Sequence, residues 1–252
     1  DYLATSGTLS FVPGQTQASV SVPVLGDETV EPSDLFTLAF TPPSLLAQAS
    51  LGEATILDDD AGTPTVSVGG ASIQEGTSAS DPFYLDFAIT LSSPATEAVT
   101  VEYRLLSGTA QSGADAFFPN STRSVTFAAG ETSKTVSVRV DGDGIAEPDE
   151  AIVLEVFSAE GAALAGNAPT LRATGWILDD DGSGNKLALY SSRPVVVEGD
   201  DGTRQANFEI SLSRPAPEGF TVSYSTVDGS AHAGEDYLAT SGTLSFVPGQ
   251  TQ

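Results

Sequence analysis

Apolar and polar residues alternate with a period of two along most of this chain. Thr135-Val-Ser-Val-Arg-Val140 turns every second side chain to one face, the mark of a half-buried strand. Ala151-Ile-Val-Leu-Glu-Val-Phe157 is apolar almost throughout and reads as a buried strand. Between residues 64 and 181 the pattern predicts seven strands, at about 64–74, 83–92, 98–106, 123–128, 133–141, 151–158 and 172–179. Gly, Pro, Asn, Asp and Ser fill the gaps, and no long stretch has helical periodicity. Short strands at this spacing predict an all-β fold, an antiparallel β-sandwich.

The pattern repeats. Asp1 to Gln17 recurs without a change as Asp236 to Gln252, 235 residues later. An identity of that length is not chance, so the chain reads as one period of a longer array. A weaker repeat lies inside the period: Val24–Asp34 matches Val140–Glu150, and Ala54–Asp60 matches Gly175–Asp181. Phe208–Ser213 matches Phe87–Ser92, and Gly234-Glu-Asp236 matches Gly113-Ala-Asp115. Each period therefore holds two related modules. Residues 64–181 form a complete one, 1–61 the C-terminal half of another, and 186–252 an N-terminal half. The halves could be completed by other copies in trans, a contact that would propagate head to tail. The alternative, which we favour from the sequence, is a window on one long polypeptide. Gly182-Ser-Gly-Asn185 and Ala61-Gly-Thr-Pro64 are short linkers, which suggest a semi-rigid string of modules.

Composition narrows the function. Nine Lys and Arg face 34 Asp and Glu, a formal charge of −25, so nucleic acid and anionic membranes are not expected partners. No run of about 18 apolar residues could insert into a bilayer. Cys is absent, which removes disulfides and thiolate metal sites.

The acidic loop between two predicted strands carries the chemistry. Asp141, Asp143, Glu147 and Glu150 gather at one tip of the β-structure. Like charges ~4 Å apart repel by roughly 4 kcal/mol at an effective dielectric of ~20, so such a cluster calls for a cation. The alternative is a set of solvated turns that keep the protein soluble. Catalysis is not expected. His232, the only histidine, has no Ser or Cys nucleophile context. The pair Asp149/Glu150 could suggest glycoside hydrolysis, but it lies on a repeated loop. Trp176 reads as packing, and Asn120-Ser-Thr122 fits a glycosylation acceptor.

Five motifs occur in fixed order. They are a Glu-Gly after the first strand, Gly234-Glu-Asp-Tyr237, Ser241-Gly-Thr-Leu-Ser-Phe-Val-Pro-Gly-Gln-Thr251, the acidic Asp143-x-x-x-Glu147-Pro-x-Glu150, and the closing Ile-Leu-Asp-Asp-Asp. Together they resemble the Calx-β domain, over essentially the whole chain. The resemblance implies tandem seven-stranded antiparallel Ig-like β-sandwiches that bind Ca2+ at one tip. Carried onto the complete module, the implied ligands are Glu75, Asp115, Asp143, Glu147, Glu150, Asp179, Asp180 and Asp181, beside Asp141 of the same loop. In the halves they are Glu198 and Asp236 on one side, and Asp27, Glu31, Asp34, Asp58, Asp59 and Asp60 on the other. Leu25 replaces Asp141 and Asp34 replaces Glu150, which points to fewer or weaker ions there. Calcium also suits the chemistry: it takes six to eight oxygen ligands in irregular geometry, whereas zinc and copper prefer His or Cys.

The expected role is a calcium-rigidified extender in a large extracellular, bacterial repeat protein such as a surface adhesin or filament, with neighbouring repeats as its partners. The alternatives are a calcium-sensing regulatory module pair and an accessory module of a secreted enzyme.

Overall fold

Alternation puts Leu85, Phe87, Ile89 and Leu91 on one face of strand Phe83–Leu91, and all four are buried. Val136, Val138 and Val140 do the same from strand Ser133–Val140. Removing such side chains from water contributes about 1.5–3 kcal/mol each, enough to close two sheets over a common core. The computed structural model describes residues 5–9, 18–44, 46, 48–60, 62–78, 83–119, 121–181, 187–213, 215–216 and 218–246. The linker 182–185, Ala61 and Asn120 of the glycosylation motif lie outside the described residues.

Residues 65–178 form one sandwich. One sheet runs Ala116–Phe117, Ser133–Val140, Phe83–Leu91, Thr65–Gly69, Ala163–Leu164. The facing sheet runs Arg123–Phe127, Val99–Ser107, Glu150–Glu160, Leu171–Leu178, Ser72–Gln74. The long pairings are antiparallel, while the short Ser72–Gln74 and Ala163–Leu164 pair in parallel with their neighbours. The predicted strand 64–74 is two strands, one in each sheet. The chain crosses over at Gly70, where a Cβ would stand 2.2 Å from the Thr174 carbonyl oxygen, so only glycine fits. Two-residue strands at Ala116–Phe117 and Ala163–Leu164 and a single 3-10 turn at Ala165–Asn167 complete the unit.

A second sandwich is assembled from both ends of the described chain. Ala18–Leu25 pairs antiparallel with Thr203–Leu212, and Asp34–Thr41 with Phe220–Asp228. Its core mixes Val20, Val22, Phe36 and Leu38 with Phe208, Leu212, Val222 and Leu244. The first sandwich keeps a core of its own. Within this chain, then, the early and late segments fill one another's core. Thr5–Leu9 adds to the sheet edge, parallel and in register with Thr240–Leu244, its own second copy.

One buried charge sits within a sheet. Glu155 is almost fully buried, and its Oε1 and Oε2 each accept a hydrogen bond at 2.7 Å, from Arg104 Nε and Arg172 Nε. Burial alone would raise its pKa, but the bonds from Arg172 and Arg104 outweigh it and hold the carboxyl below its ordinary value.

Candidate metal centres

The carboxylates meet because of one parallel pairing. Ser72–Gln74 runs beside Trp176–Leu178 with Gln74 opposite Leu178, and the Glu75 N–H donates to the Leu178 carbonyl at 3.1 Å. The next residue on each strand is therefore an acid, Glu75 on one and Asp179 on the other. Gly76 turns the chain in the left-handed region (φ 74°), and its N–H donates to Asp180 Oδ1 at 3.1 Å. Oxygens of Glu75, Asp180 and Asp181 all lie within 4.8 Å of one another. The acidic loop lies directly on this turn. A Cβ on Gly142 would come within 2.1 Å of the Gly76 carbonyl oxygen and 2.2 Å of that of Glu75. The Glu147 N–H donates to Asp179 Oδ1 at 3.1 Å and ties the loop's far side to the run.

A second group adjoins the first. Asp115 is buried, its Oδ2 accepts from the Gln111 N–H at 2.6 Å, and its carbonyl accepts from the Asp141 N–H at 3.0 Å. Burial, a hydrogen bond with Asp115, and the charges of Asp115 and Glu147 push Glu150 up to about 8. Burial, then Asp179, Asp143, Glu147 and Asp181, push Glu75 up to about 8. Asp143 holds its own turn, its Oδ1 accepting from the Ile145 N–H at 2.6 Å. Asp141 is set apart by an ion pair to Arg139 at 2.6 Å.

The second sandwich repeats the plan. Val197 lies opposite Leu57, the Glu198 N–H donates to the Leu57 carbonyl at 3.2 Å, and the Gly199 N–H donates to Asp59 Oδ1 at 2.9 Å. Glu198, Asp58 and Asp60 form one group within 4.8 Å, and Glu31, Asp34 and Asp236 form another. Each group joins residues from the two ends of the sequence. Gly26 is the counterpart of Gly142, with a Cβ position 2.0 Å from the Gly199 carbonyl oxygen. Asp27 accepts from the Thr29 N–H as Asp143 does from Ile145, at 2.6 Å. Asp236 accepts from the His232 N–H at 2.6 Å as Asp115 does from Gln111, so this turn is kept with Ala116 in place of Tyr237, although Tyr237 alone adds a hydroxyl bond to Asp228 at 2.6 Å and a stack on Phe36. The His232 side chain itself is exposed. Burial, then Asp58, Asp27, Glu31 and Asp59, push Glu198 up to about 8. For Glu31 the order is burial, then Asp236, Asp27, Asp34 and Asp58, again upward.

These groups fit a hard cation. Glu75 Oε1, Asp181 Oδ2 and Asp60 Oδ2 are buried with no hydrogen-bond partner. A buried acceptor without a donor costs free energy unless a cation supplies the missing contact. The donors are all carboxylates, the set that calcium or magnesium takes and zinc or copper does not.

Sequence reasoning missed Asp149 as part of this end of the molecule. Its Oδ1 accepts from the Asp179 N–H at 3.0 Å and its Oδ2 from the Tyr190 hydroxyl at 2.8 Å, across the boundary between the sandwiches. Burial, then Asp149, push the Tyr190 phenol far up, so it stays a donor. No pattern in the chain signals a contact whose partners lie on different sandwiches.

Fold and clusters together define a class: paired antiparallel β-sandwiches with carboxylate groups at the junction end of each. Residues 1–66, 58–181 and 190–252 each match the Calx-beta domain. The chain belongs to the Calx-beta domain family. It is 26% identical over 181 residues to sodium/calcium exchanger 3 of Mus musculus, a match covering 62% of this chain and 19% of that protein. The chain thus spans about a fifth of the length of the curated relative it matches. Among solved structures it is similar to an apo-form Calx CBD1 domain (25% identity, 47% of this chain and 99% of that one, TM-score 0.38). It is also similar to the calcium binding domain CBD12 of CALX1.1 (21% identity, 74% of this chain and 71% of that one, TM-score 0.40). Among the described residues no helix is long and apolar enough to cross a membrane.

Proposed function

We propose that this chain is a calcium-binding structural segment of a large extracellular repeat protein. Ion binding at the junction ends rigidifies the line of sandwiches, which serves as an extender between a surface and whatever its tip holds, with neighbouring repeats as its partners. The role is binding and mechanical rather than catalytic. The observation that carries the calcium reading is the set of partnerless buried oxygens on Glu75, Asp181 and Asp60, each inside a carboxylate group. Glu75, Asp179, Asp180 and Asp181 would hold one ion with help from Asp143 and Glu147, and Asp115, Glu147 and Glu150 a second. Glu198 with Asp58, Asp59 and Asp60, and Asp236 with Glu31 and Asp34, are the counterparts, with Asp27 beside them. The extender role is supported by the duplication at 235 residues, since an array gains reach by repeating.

Thermal unfolding of the full chain with calcium, with magnesium and with chelator tests this reading. A ligand at about 100 times its Kd adds about 2.7 kcal/mol to the folded state, and so several degrees to a module of this size. A rise with calcium well above that with magnesium is expected. No rise would mean that the acidic loops are solvated turns.

The similarity to sodium/calcium exchanger 3 favours a second reading, a pair whose relative orientation reports calcium to a partner. Scattering profiles that change shape with calcium, rather than merely stiffen, would select it.

A further inference from the structure

The chain passes between the sandwiches twice, after Leu178 and after Leu57, and the Arg193 N–H of one sandwich also donates to the Gly70 carbonyl of the other at 3.2 Å. The internal duplication makes the two passages equivalent attachments, and strand register assigns the matching positions. Tyr190 sits opposite Ser211 as Ser67 sits opposite Thr90. Trp176 sits opposite Ser72 as Thr55 sits opposite Val195. Ser33 occupies the place of Asp149 in the acidic loop.

The two attachments are filled differently. After Leu178, the Trp176 and Tyr190 rings lie 5.1 Å apart at 44°, and Tyr190 packs in a buried group with Leu178 and Ala188. The Tyr190 hydroxyl donates to Asp149, whose other oxygen accepts from the backbone of Asp179 in the acidic run. A single carboxylate thus touches both the metal-facing run and the neighbouring sandwich. After Leu57, Ser33, Thr55 and Ser67 stand at the three matching positions and, with Glu53, Arg172 and Arg193, line a cavity of about 210 Å³ between the sandwiches. A ring pair and a charge-assisted hydrogen bond resist separation, whereas Ser33, Thr55 and Ser67 supply neither at the matching positions, and the charged lining, Glu53 with Arg193, pairs within its own sandwich.

We propose that the attachment after Leu178 is the fixed one, clamped by Asp149, Tyr190 and Trp176, and that the attachment after Leu57 is the place where the sandwiches part. The clamp also carries the state of the Asp179–Asp181 run to the orientation of the neighbouring sandwich, a step that rests on the calcium reading above. In an array of such periods, stiff and compliant joints alternate.

The chain has no cysteine, so a label pair can be placed cleanly. Glu102 and Ser223 are exposed, at equivalent positions on the two sandwiches. Spin labels on E102C and S223C give the distribution of distances between the units. Without ion, Y190F and D149N are expected to widen that distribution at least twofold, and S67A and T55A to leave it unchanged. Equal widening by Y190F and S67A, or none by Y190F and D149N, would overturn the clamp. With calcium, the parent distribution narrows. Y190F keeps the calcium-induced rise in melting temperature but loses the narrowing, and full narrowing in Y190F would overturn the coupling. If calcium raises no melting temperature the calcium reading fails, while the ion-free comparison still decides the clamp. Filling the cavity with S33D, T55W and S67Y in the Y190F background restores the narrow distribution, and failure to do so would count against the equivalence of the two joints.

Discussion

Calcium binding to this chain near neutral pH should expel protons, and the glutamates that supply them can be named from the site. Glu75, Glu150 and Glu198 are each pushed up to about 8, with burial the largest cause. At pH 7 a carboxyl with that value is about nine-tenths protonated, and it must ionise to serve as a ligand. Saturation at pH 7 is therefore expected to release about one proton from each of Glu75 and Glu198, with a further contribution from the Glu150–Asp115 pair, and almost none above about pH 9. The sign for the ion-free protein follows from linkage. Between about 4.5 and 8 the folded state holds more protons than the unfolded one, so stability falls as pH rises through that window. Each raised carboxyl corresponds to at most roughly 5 kcal/mol, and water reaching this loop-lined end reduces that to the order of 1–2 kcal/mol. Calorimetric titration at pH 7 in buffers of different ionisation enthalpy measures the release directly, as the slope of observed heat against buffer heat. E75Q and E198Q should each lower the slope by about one proton. A zero slope with calcium bound would refute the claim that burial and crowding hold these groups protonated.

Three further outcomes follow from the packing. G142A places a methyl group against the Glu75 and Gly76 carbonyls, so the acidic loop should lift and the calcium-induced rise in melting temperature fall by half or more, while circular dichroism stays that of the parent. E155A leaves Arg104 and Arg172 facing each other without their shared carboxylate, at an expected cost of about 1–2 kcal/mol in urea unfolding, below the usual buried-pair figure because both arginines are largely exposed. F87A and F208A remove matching core rings and should each cost about 3–5 kcal/mol, and because the cores are separate, each should lower a different transition in a calorimetric scan.

Strands were legible wherever side chains alternate over a face, as in Ser133–Val140, because the pleat itself imposes that period. Gly69-Gly70 hid the break in the first strand, since glycine permits both a continuous strand and a crossover. Ala116–Phe117 and Ala163–Leu164 are too short to show any period. The acids of the junction ends stood out because duplication set two copies side by side, so a carboxylate at matching positions was separable from one scattered on the surface. Asp149 and Tyr190 had no such signal, because their counterparts are serines. Nor does the sequence say which copy's half completes which core. Residues 18–60 and 187–246 carry complementary faces, and complementarity alone does not choose between one chain and two.

Topology explains why the acids sit at the joints at all. The first segment of each sandwich pairs in parallel with the last, so the chain leaves the sandwich at the end where that segment's glutamate stands. The residues that follow the last strand must lie beside Glu75 or Glu198, and those residues also form the start of the passage to the next sandwich. A carboxylate cluster there is a cluster at the joint, with no freedom to be elsewhere. Two charges 4.8 Å apart repel by roughly 3.5 kcal/mol at an effective dielectric of ~20. Protonation of the glutamate relieves that repulsion up to about pH 8, and a cation relieves it by taking the proton's place. A third way is to move the acidic run away from the glutamate, which strains whatever the run is attached to. After Leu178 the run is attached through Asp149 to Tyr190 of the neighbouring sandwich. After Leu57 the matching residues are Ser33 and Ser67 beside a void, which can absorb the movement. The same electrostatic stress therefore reaches the neighbouring sandwich at one joint and is dissipated at the other.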